Sequence, residues 1–327
     1  MSLKILGTGS YLPPKLVTND ELAQTLDTSD EWIYSHTGIH ARHIADESDC
    51  TSTMATKAAR AAMEAAGARP DEIGLIIVAT SSPDYNTFPS TACLVQAALG
   101  CPATGAYDLQ AACAGFVYAL DQARCWVKVN NTKKAIVIGA ETLSRVVDWR
   151  DRSSCILFGD GAGAVVIGDV PGESGPDAHS VLWADGNGAG FISREGGSRR
   201  KAVPGMVAIP YLELQGHDVF AFAVRSLAKV TNQLCDKLGT TPDRLDRVFA
   251  HQANGRIIEA VARRMKLPLE KFYLNLETTG NTSAASIPLA LDEAVRKGEL
   301  TDGMKLVLCG FGAGLTYAGT YMQWPYL

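Results

Sequence analysis

Short β-branched runs alternate with Ala-rich segments of helical length along most of the chain, and this alternation narrows the folds open to it. Leu75 to Ala79, Ala135 to Gly139, Ala164 to Gly168, Arg247 to Ala250 and Lys305 to Cys309 read as strands. Ser52 to Ala66, Phe116 to Val127, Val219 to Leu238, Gly255 to Met265 and Ile287 to Lys297 read as helices. Strands separated by helices of that length predict an α/β fold with helices packed on largely buried sheets. The stretch from Pro171 to Gln215 breaks the rhythm: it is rich in Gly, Pro and Ser and carries Arg199-Arg200-Lys201. It is expected to join two halves, residues 1–170 and 216–327, and to roof a site.

A degenerate repeat supports the two halves. Gly159-Asp160-Gly161-Ala162-Gly163-Ala164 is matched 151 residues later by Gly310-Phe311-Gly312-Ala313-Gly314-Leu315. Cys113 and Asn281, 168 residues apart, each stand where an apolar helix opens. The Gly-rich segments do not read as dinucleotide-binding turns, because such a turn leads from a strand into a helix that faces the pyrophosphate. Here Ala164-Val165-Val166-Ile167 and Leu315-Thr316-Tyr317-Ala318 follow instead, and both are strand-like.

The 327 residues suffice to bury a core without disulfides. Lys and Arg number 30 against 35 Asp and Glu, a net charge of −5, so nucleic-acid binding is not the first reading. The eight cysteines, at 50, 93, 101, 113, 125, 155, 235 and 309, form no C-x-x-C pair, so a zinc site or thioredoxin-like chemistry lacks its spacing. The start, Met1-Ser2-Leu3-Lys4-Ile5, has no signal-peptide pattern, and apolar runs stay well short of a membrane span. A cytoplasmic protein with reduced thiols, most of them small core residues, is expected. His36, His40 and His43 have a metal-like spacing, but Thr37-Gly38-Ile39 interrupts the helix that would align them, so no metal is expected.

Among the cysteines, Cys113 stands apart. It lies between small residues at the expected start of a helix, where unpaired N–H groups and the dipole favour a thiolate and a substrate carbonyl can approach. His251 lies just past the strand Val248-Phe249-Ala250, a place where sites assemble in α/β folds. Asn281, in Gly280-Asn281-Thr282-Ser283, suits a helix cap or turn and equally a neutral donor beside His251. A Cys-His-Asn order also occurs in papain-like hydrolases, but their nucleophile lies near the mature N-terminus within its own local signature. The other arrangement directs a neutral His and the Asn at one oxygen that becomes negative, which suits enolate formation.

With these residues in place, the chain resembles the thiolase-fold condensing enzymes, and within them the β-ketoacyl-acyl carrier protein synthase III family. The resemblance runs through Gly7-Thr8-Gly9-Ser10-Tyr11-Leu12-Pro13, Asp30-Glu31-Trp32-Ile33, Phe88-Pro89-Ser90, Ala112-Cys113-Ala114-Gly115-Phe116 and Phe158-Gly159-Asp160-Gly161-Ala162-Gly163. It continues through His251-Gln252-Ala253-Asn254, Gly280-Asn281-Thr282-Ser283 and Gly310-Phe311-Gly312-Ala313-Gly314. Elongating ketosynthases carry a second His where this chain has Asn281, and thiolases a second Cys.

The resemblance implies a duplicated, layered α-β-α-β-α fold, with Cys113 from the first half and His251 and Asn281 from the second. It implies that Cys113 takes an acyl group from acyl-CoA and that malonyl-acyl carrier protein then loses CO₂, His251 and Asn281 holding the enolate that attacks the acyl-enzyme. Cys113 and Ala313 match the backbone oxyanion hole, although Ala313 stands where many members have Gly. Trp32 and Arg152 match a pair that stacks on the CoA adenine, and Gly216, Phe220, Ala253 and Asn254 match the pantetheine tunnel. Arg256 matches a residue that meets CoA or carrier-protein phosphates; with Arg199, Arg200 or Lys201 it would form a basic patch on an acidic protein. Phe88 matches the residue that closes the partner subunit's acyl pocket in a homodimer, and Leu157 and Leu214 bound the same pocket. His36 stands where many members have Arg, which makes its phosphate contact pH-dependent. No cofactor is required, because acyl-CoA is a substrate. A sister condensing enzyme of polyketide or signal-molecule synthesis, a cysteine hydrolase and a non-catalytic acyl-binding protein are the alternatives.

Overall fold

The β-branched runs pair into two sheets. The computed structural model describes residues 2–130, 133–170, 178–194 and 211–325. In chain order its strands are β1 (Ser2–Tyr11), β2 (Leu16–Thr18), β3 (Ala41–His43), β4 (Ile73–Ala79), β5 (Gly105–Leu109), β6 (Lys134–Glu141), β7 (Gly161–Val170), β8 (His179–Ala184), β9 (Ile192–Ser193), β10 (Glu213–Leu214), β11 (Arg247–Ala250), β12 (Lys305–Gly312) and β13 (Thr316–Gln323). The helices are α1 (Asn19–Ala23), α2 (Asp30–Thr37), α3 (Thr51–Ala65), α4 (Thr91–Leu99), α5 (Gly115–Val129), α6 (Arg152–Cys155), α7 (Gly216–Lys237), α8 (Gly255–Met265), α9 (Leu276–Thr279) and α10 (Ser286–Arg296). All five strands and all five helices expected from the periodicity are present, most with ends shifted by a few residues.

The first sheet has the order β1-β7-β6-β4-β5 and the second the order β11-β12-β13-β8. Helices α5 and α10 form the middle layer: Phe116, Leu120 and Ala123 of one and Ile287, Ala290 and Leu291 of the other share a core with Ile77 and Val137 from the first sheet and Phe249 and Leu308 from the second. Helix α3 covers the outer face of the first sheet, and α7 and α8 cover that of the second. The result is a five-layer α-β-α-β-α stack, in which each sheet buries both faces and so reads as a continuous apolar run. Helix α3 is Ala-rich because it touches β1 backbone to backbone: a Cβ on Gly7 or Gly9 would lie 2.4 Å from the carbonyl oxygens of Ala62 and Ala58.

The two halves superpose in register with a spacing of 171 residues. It relates the last residues of β4 and β11 (Ala79, Ala250), the first of α5 and α10 (Gly115, Ser286) and the first of β6 and β12 (Lys134, Lys305). The sequence match of Cys113 with Asn281 is therefore three residues out of register, and the structural counterpart of Cys113 is Ala284. The Gly-rich segments are not equivalent either, because residues 142–160 separate β6 from β7, whereas residues 313–315 suffice between β12 and β13. Part of the expected junction is sheet: β8 is the edge strand of the second sheet, antiparallel to β13. Arg199, Arg200 and Lys201 lie outside the described residues.

Candidate active site

The turn that presents Cys113 joins β5 to α5. Ala112 takes a left-handed φ of +47°, unusual for a residue with a Cβ, and a single 3-10 turn over Ala112–Ala114 leads into the helix. The end of β12 presses against this turn, since a Cβ on Gly312 would lie 2.6 Å from the Cys113 nitrogen. Cys113 is reached from a cavity but is otherwise deeply surrounded by protein. That burial pushes its thiol up to about 12; the nearby Ser283 hydroxyl opposes the rise and the Glu141 carboxylate adds to it. The sequence expectation of a favoured thiolate is thus corrected, because desolvation by burial favours the neutral thiol.

His251 continues the β11 ladder by one residue, its N–H donating to the Cys309 carbonyl at 2.8 Å. The loop beyond it is pinned by Gln252, whose Oε1 accepts from the N–H groups of Asn275 and Leu276 and whose own N–H donates to Ser286 Oγ. The His251 ring is fully buried against Phe311, with centroids 5.2 Å apart, and neither ring nitrogen has a partner among the described residues. Burial pushes its pKa down to about 3, so the ring is neutral at physiological pH. It is a neutral imidazole with a nitrogen to spare.

Asn281 is bound on both sides of its backbone: its N–H donates to Leu157 at 2.8 Å and its carbonyl accepts from Gly159 at 3.0 Å. Its Oδ1 accepts the Ser283 N–H at 2.9 Å, which leaves the amide NH₂ as the free end. The turn reading of Asn281 thus holds, its side chain bonding its own backbone two residues on.

Cys113, His251 and Asn281 line a single cavity of about 710 Å³, bounded also by Trp32, His36, Arg152, Leu157, Leu214, Gly216, Phe220, Ala253, Asn254 and Ala313. Ala189, Ile192 and Ser193, from the stretch expected to roof a site, lie in its wall. The Arg152 guanidinium lies 4.5 Å from the Trp32 ring, and His36 stacks on that ring at 4.2 Å. Trp32 and Arg152 therefore touch each other.

Two expected residues stand apart. Phe88, expected to close the partner subunit's pocket rather than this chain's own, is 80 % exposed and does not line this cavity. Arg256 also lies outside the lining, donating to the Ser35 carbonyl and paired with Glu259 at 2.7 Å. Four of the eight thiols, Cys101, Cys155, Cys235 and Cys309, are buried, whereas Cys93 and Cys125 are exposed, so fewer are core residues than expected. Sequence reasoning missed Glu141, Ser283 and Gln252. Gln252 beside His251 and Ser283 two residues past Asn281 carried a local signal.

Comparison with known proteins adds to this geometry. Residues 107–186 match the family model of 3-oxoacyl-[acyl-carrier-protein] synthase III and residues 235–324 its C-terminal model. A β-ketoacyl-[acyl-carrier-protein] synthase III of Neisseria meningitidis is 48 % identical over 98 % of this chain and 99 % of that protein. The crystal structure of 3-oxoacyl-[acyl-carrier-protein] synthase III from Aquifex aeolicus superposes with a TM-score of 0.89 at 42 % identity, covering 98 % of this chain and 99 % of that one. The priming β-ketosynthase of the R1128 polyketide pathway superposes with a TM-score of 0.92 at 36 % identity, covering 99 % and 97 %.

Proposed function

The chain belongs to the β-ketoacyl-acyl carrier protein synthase III family, condensing acyltransferases of fatty-acid synthesis on the thiolase fold, and from that premise we propose how its own residues divide the reaction. Cys113 attacks the thioester of an acyl-CoA and holds the acyl group, releasing CoA. Malonyl-acyl carrier protein then enters the same cavity and loses CO₂. The neutral His251 ring and the Asn281 amide donate to the thioester oxygen, which becomes an enolate oxygen as the carbon–carbon bond breaks. The enolate carbon attacks acyl-Cys113, whose oxyanion faces the backbone N–H groups of Cys113 and Ala313. Supporting this reading above all is one observation: a nucleophile, a neutral ring and a free amide donor line one cavity.

Binding follows the shape of the cavity. Gly216, Phe220, Ala253 and Asn254 flank the pantetheine arm, and Leu157 and Leu214 bound the acyl chain. The adenine stacks on the outside of the Trp32–Arg152 pair or parts it. His36 spends Nδ1 on the Trp32 carbonyl at 2.6 Å, which leaves Nε2 as its outward nitrogen. Arg256 serves the carrier protein on the outer surface. No metal or other cofactor takes part.

A second copy of the chain completes the site. Strand β5 is a sheet edge, and Phe88 and Tyr85 stand exposed near it, an arrangement that calls for cover. Sedimentation of the parent and of Phe88→Asp tests this, with a shift toward monomer expected for the variant. Among the described residues no helix is long and apolar enough to cross a membrane. The free thiols fit the reducing cytoplasm.

Cys113→Ser is expected to lose acyl-enzyme formation from labelled acetyl-CoA, read by mass spectrometry of the intact chain, because a serine hydroxyl is a far weaker nucleophile than a cysteine sulfur. Undiminished labelling of the variant would refute the assignment. A panel of acyl-CoA primers reads the size of the pocket around Leu157 and Leu214.

A further inference from the structure

His251 and Asn281 must aim at one oxygen, yet they come from separate segments, the turn after β11 and the loop between α9 and α10. Gln252, the neighbour of His251, is 1 % exposed and reaches both ends of the Asn281 segment. Ahead of Asn281, Gln252 Oε1 accepts the N–H groups of Asn275 and Leu276 at 2.9 and 3.0 Å, and Nε2 donates to Asn275 Oδ1 at 3.0 Å. Behind Asn281, the Gln252 N–H donates to Ser286 Oγ at 3.0 Å. Leu276 and Ser286 each lie five residues from Asn281, and both stretches are tight turns. The first is closed by the Gly280 N–H on the Leu276 carbonyl at 2.9 Å. The second holds the bond from the Ser283 N–H to Asn281 Oδ1 and one from the Ala285 N–H to the Thr282 carbonyl at 3.0 Å.

Helix α10 sets the orientation of these amides. Glu293 accepts from Asn275 Nδ2 at 2.7 Å and is paired with Lys297; a carboxylate so paired only accepts. Asn275 Oδ1 must then face Gln252, which turns Gln252 Nε2 toward it and leaves Oε1 for the two backbone N–H groups. Glu293 stands seven residues after Ser286, on the same face of α10. One helix thus supplies the acceptor for the Gln252 backbone and the anchor for its side chain. In the first half Ser81 takes the place of Gln252 and Gly115 that of Ser286, so the grip belongs to the half that carries both donors.

We propose that Gln252 is a positioning residue for decarboxylation: it holds the Asn281 segment at a set spacing from His251, so that both donors meet one thioester oxygen. The proposal rests on the reading in which those two residues stabilise the enolate. Acyl transfer to Cys113 does not use the grip, because the sulfur and the backbone N–H groups of Cys113 and Ala313 lie on other segments. A misplacement of about 1 Å costs on the order of 10²-fold in rate. Loosening the grip therefore strikes one half-reaction and spares the other.

The test separates the half-reactions at saturating substrate. Acyl-enzyme formation from labelled acetyl-CoA is followed by mass spectrometry, and CO₂ release is followed once the preformed acyl-enzyme meets malonyl-acyl carrier protein. Gln252→Met keeps the bulk and removes the amide; it is expected to acylate at the parental rate and to release CO₂ about 10²-fold more slowly. Ser286→Ala loses only the rear contact and is expected to fall about tenfold, in CO₂ release alone, as for one hydrogen bond. It carries the test if Gln252→Met does not fold. In an Asn281→Ala background Gln252→Met is expected to add little, because the segment it holds no longer carries a donor. Parental CO₂ release in the variants, equal loss in both half-reactions, or the full extra loss in the Asn281→Ala background would overturn the positioning role. A parent chain that is labelled at Cys113 but releases no CO₂ would overturn instead the reading on which that role rests.

Discussion

The two halves carry different chemistry at matched places. Where the first half has Cys113 the second has Ala284, where the second has His251 the first has Thr80, and where the first has Glu141 the second has Gly312. Each half presses a strand glycine against the other's turn: a Cβ on Gly310 would lie 3.0 Å from the Cys113 carbonyl oxygen, and one on Gly139 only 2.1 Å from that of Ala284. The scaffold is thus shared, with a left-handed residue at the matched positions of both turns, Ala112 and Ser283. A duplicated frame fixes backbone positions twice, and side-chain identity then places Cys113, His251 and Asn281 on the wall of one cavity.

This division can be broken one corner at a time. Asn281→Ala is expected to keep acylation and lose decarboxylation of malonyl-acyl carrier protein by roughly 10³-fold, as for the removal of one oxyanion donor. Release of CO₂ and acyl-enzyme formation are measured separately. Equal loss in both would reduce Asn281 to its cap on Ser283.

The shared frame is tested by its glycines. Gly139→Ala drives a methyl into the Ala284 backbone and is expected to destabilise the fold by about 3 kcal/mol, toward the upper end for an over-packed core. Gly310→Ala, with more room, costs about 1 kcal/mol. Urea midpoints compare the pair, and equal values would mean that the two turns yield equally.

His251 and Cys113 separate by the direction of their pH dependence. Between its ordinary pKa of 6.5 and about 3, His251 is protonated in the unfolded chain but neutral in the folded one. The unfolded state binds more protons in that window, so this contribution makes stability fall as pH drops through it. Going from pH 7 to pH 5 costs roughly 2 kcal/mol through this residue, and His251→Asn removes that part of the loss. Cys113 works in the opposite direction: its raised pKa makes the folded chain the stronger proton binder between 9 and about 12, so stability falls as pH rises there. Urea midpoints across pH measure both slopes.

Much of this was legible in the sequence. Periodicity located the main strands and helices, because fully buried strands and two-faced middle helices leave unmistakable apolar runs. Cys113, His251 and Asn281 stood out because each sits where a strand or turn meets a helix, among small residues. Glu141 gave no such signal. At the end of Ile138-Gly139-Ala140-Glu141 it reads as a strand terminus facing water, and only the approach of residues 80–82 and Ser283 from distant parts of the chain buries it. Phe88 drew its meaning only from the family resemblance, and its exposure appears only once the fold shows which side of the loop it occupies.

The sequence by itself determined the layered α/β class, the two halves and the three polar residues of the site, since local periodicity and residue chemistry are written along the chain. Tertiary structure decided the register of the repeat, the burial that pushes the His251 pKa down and the Cys113 pKa up, and the enclosure of Glu141. Those properties depend on desolvation and on contacts between residues far apart in sequence, which no local pattern encodes.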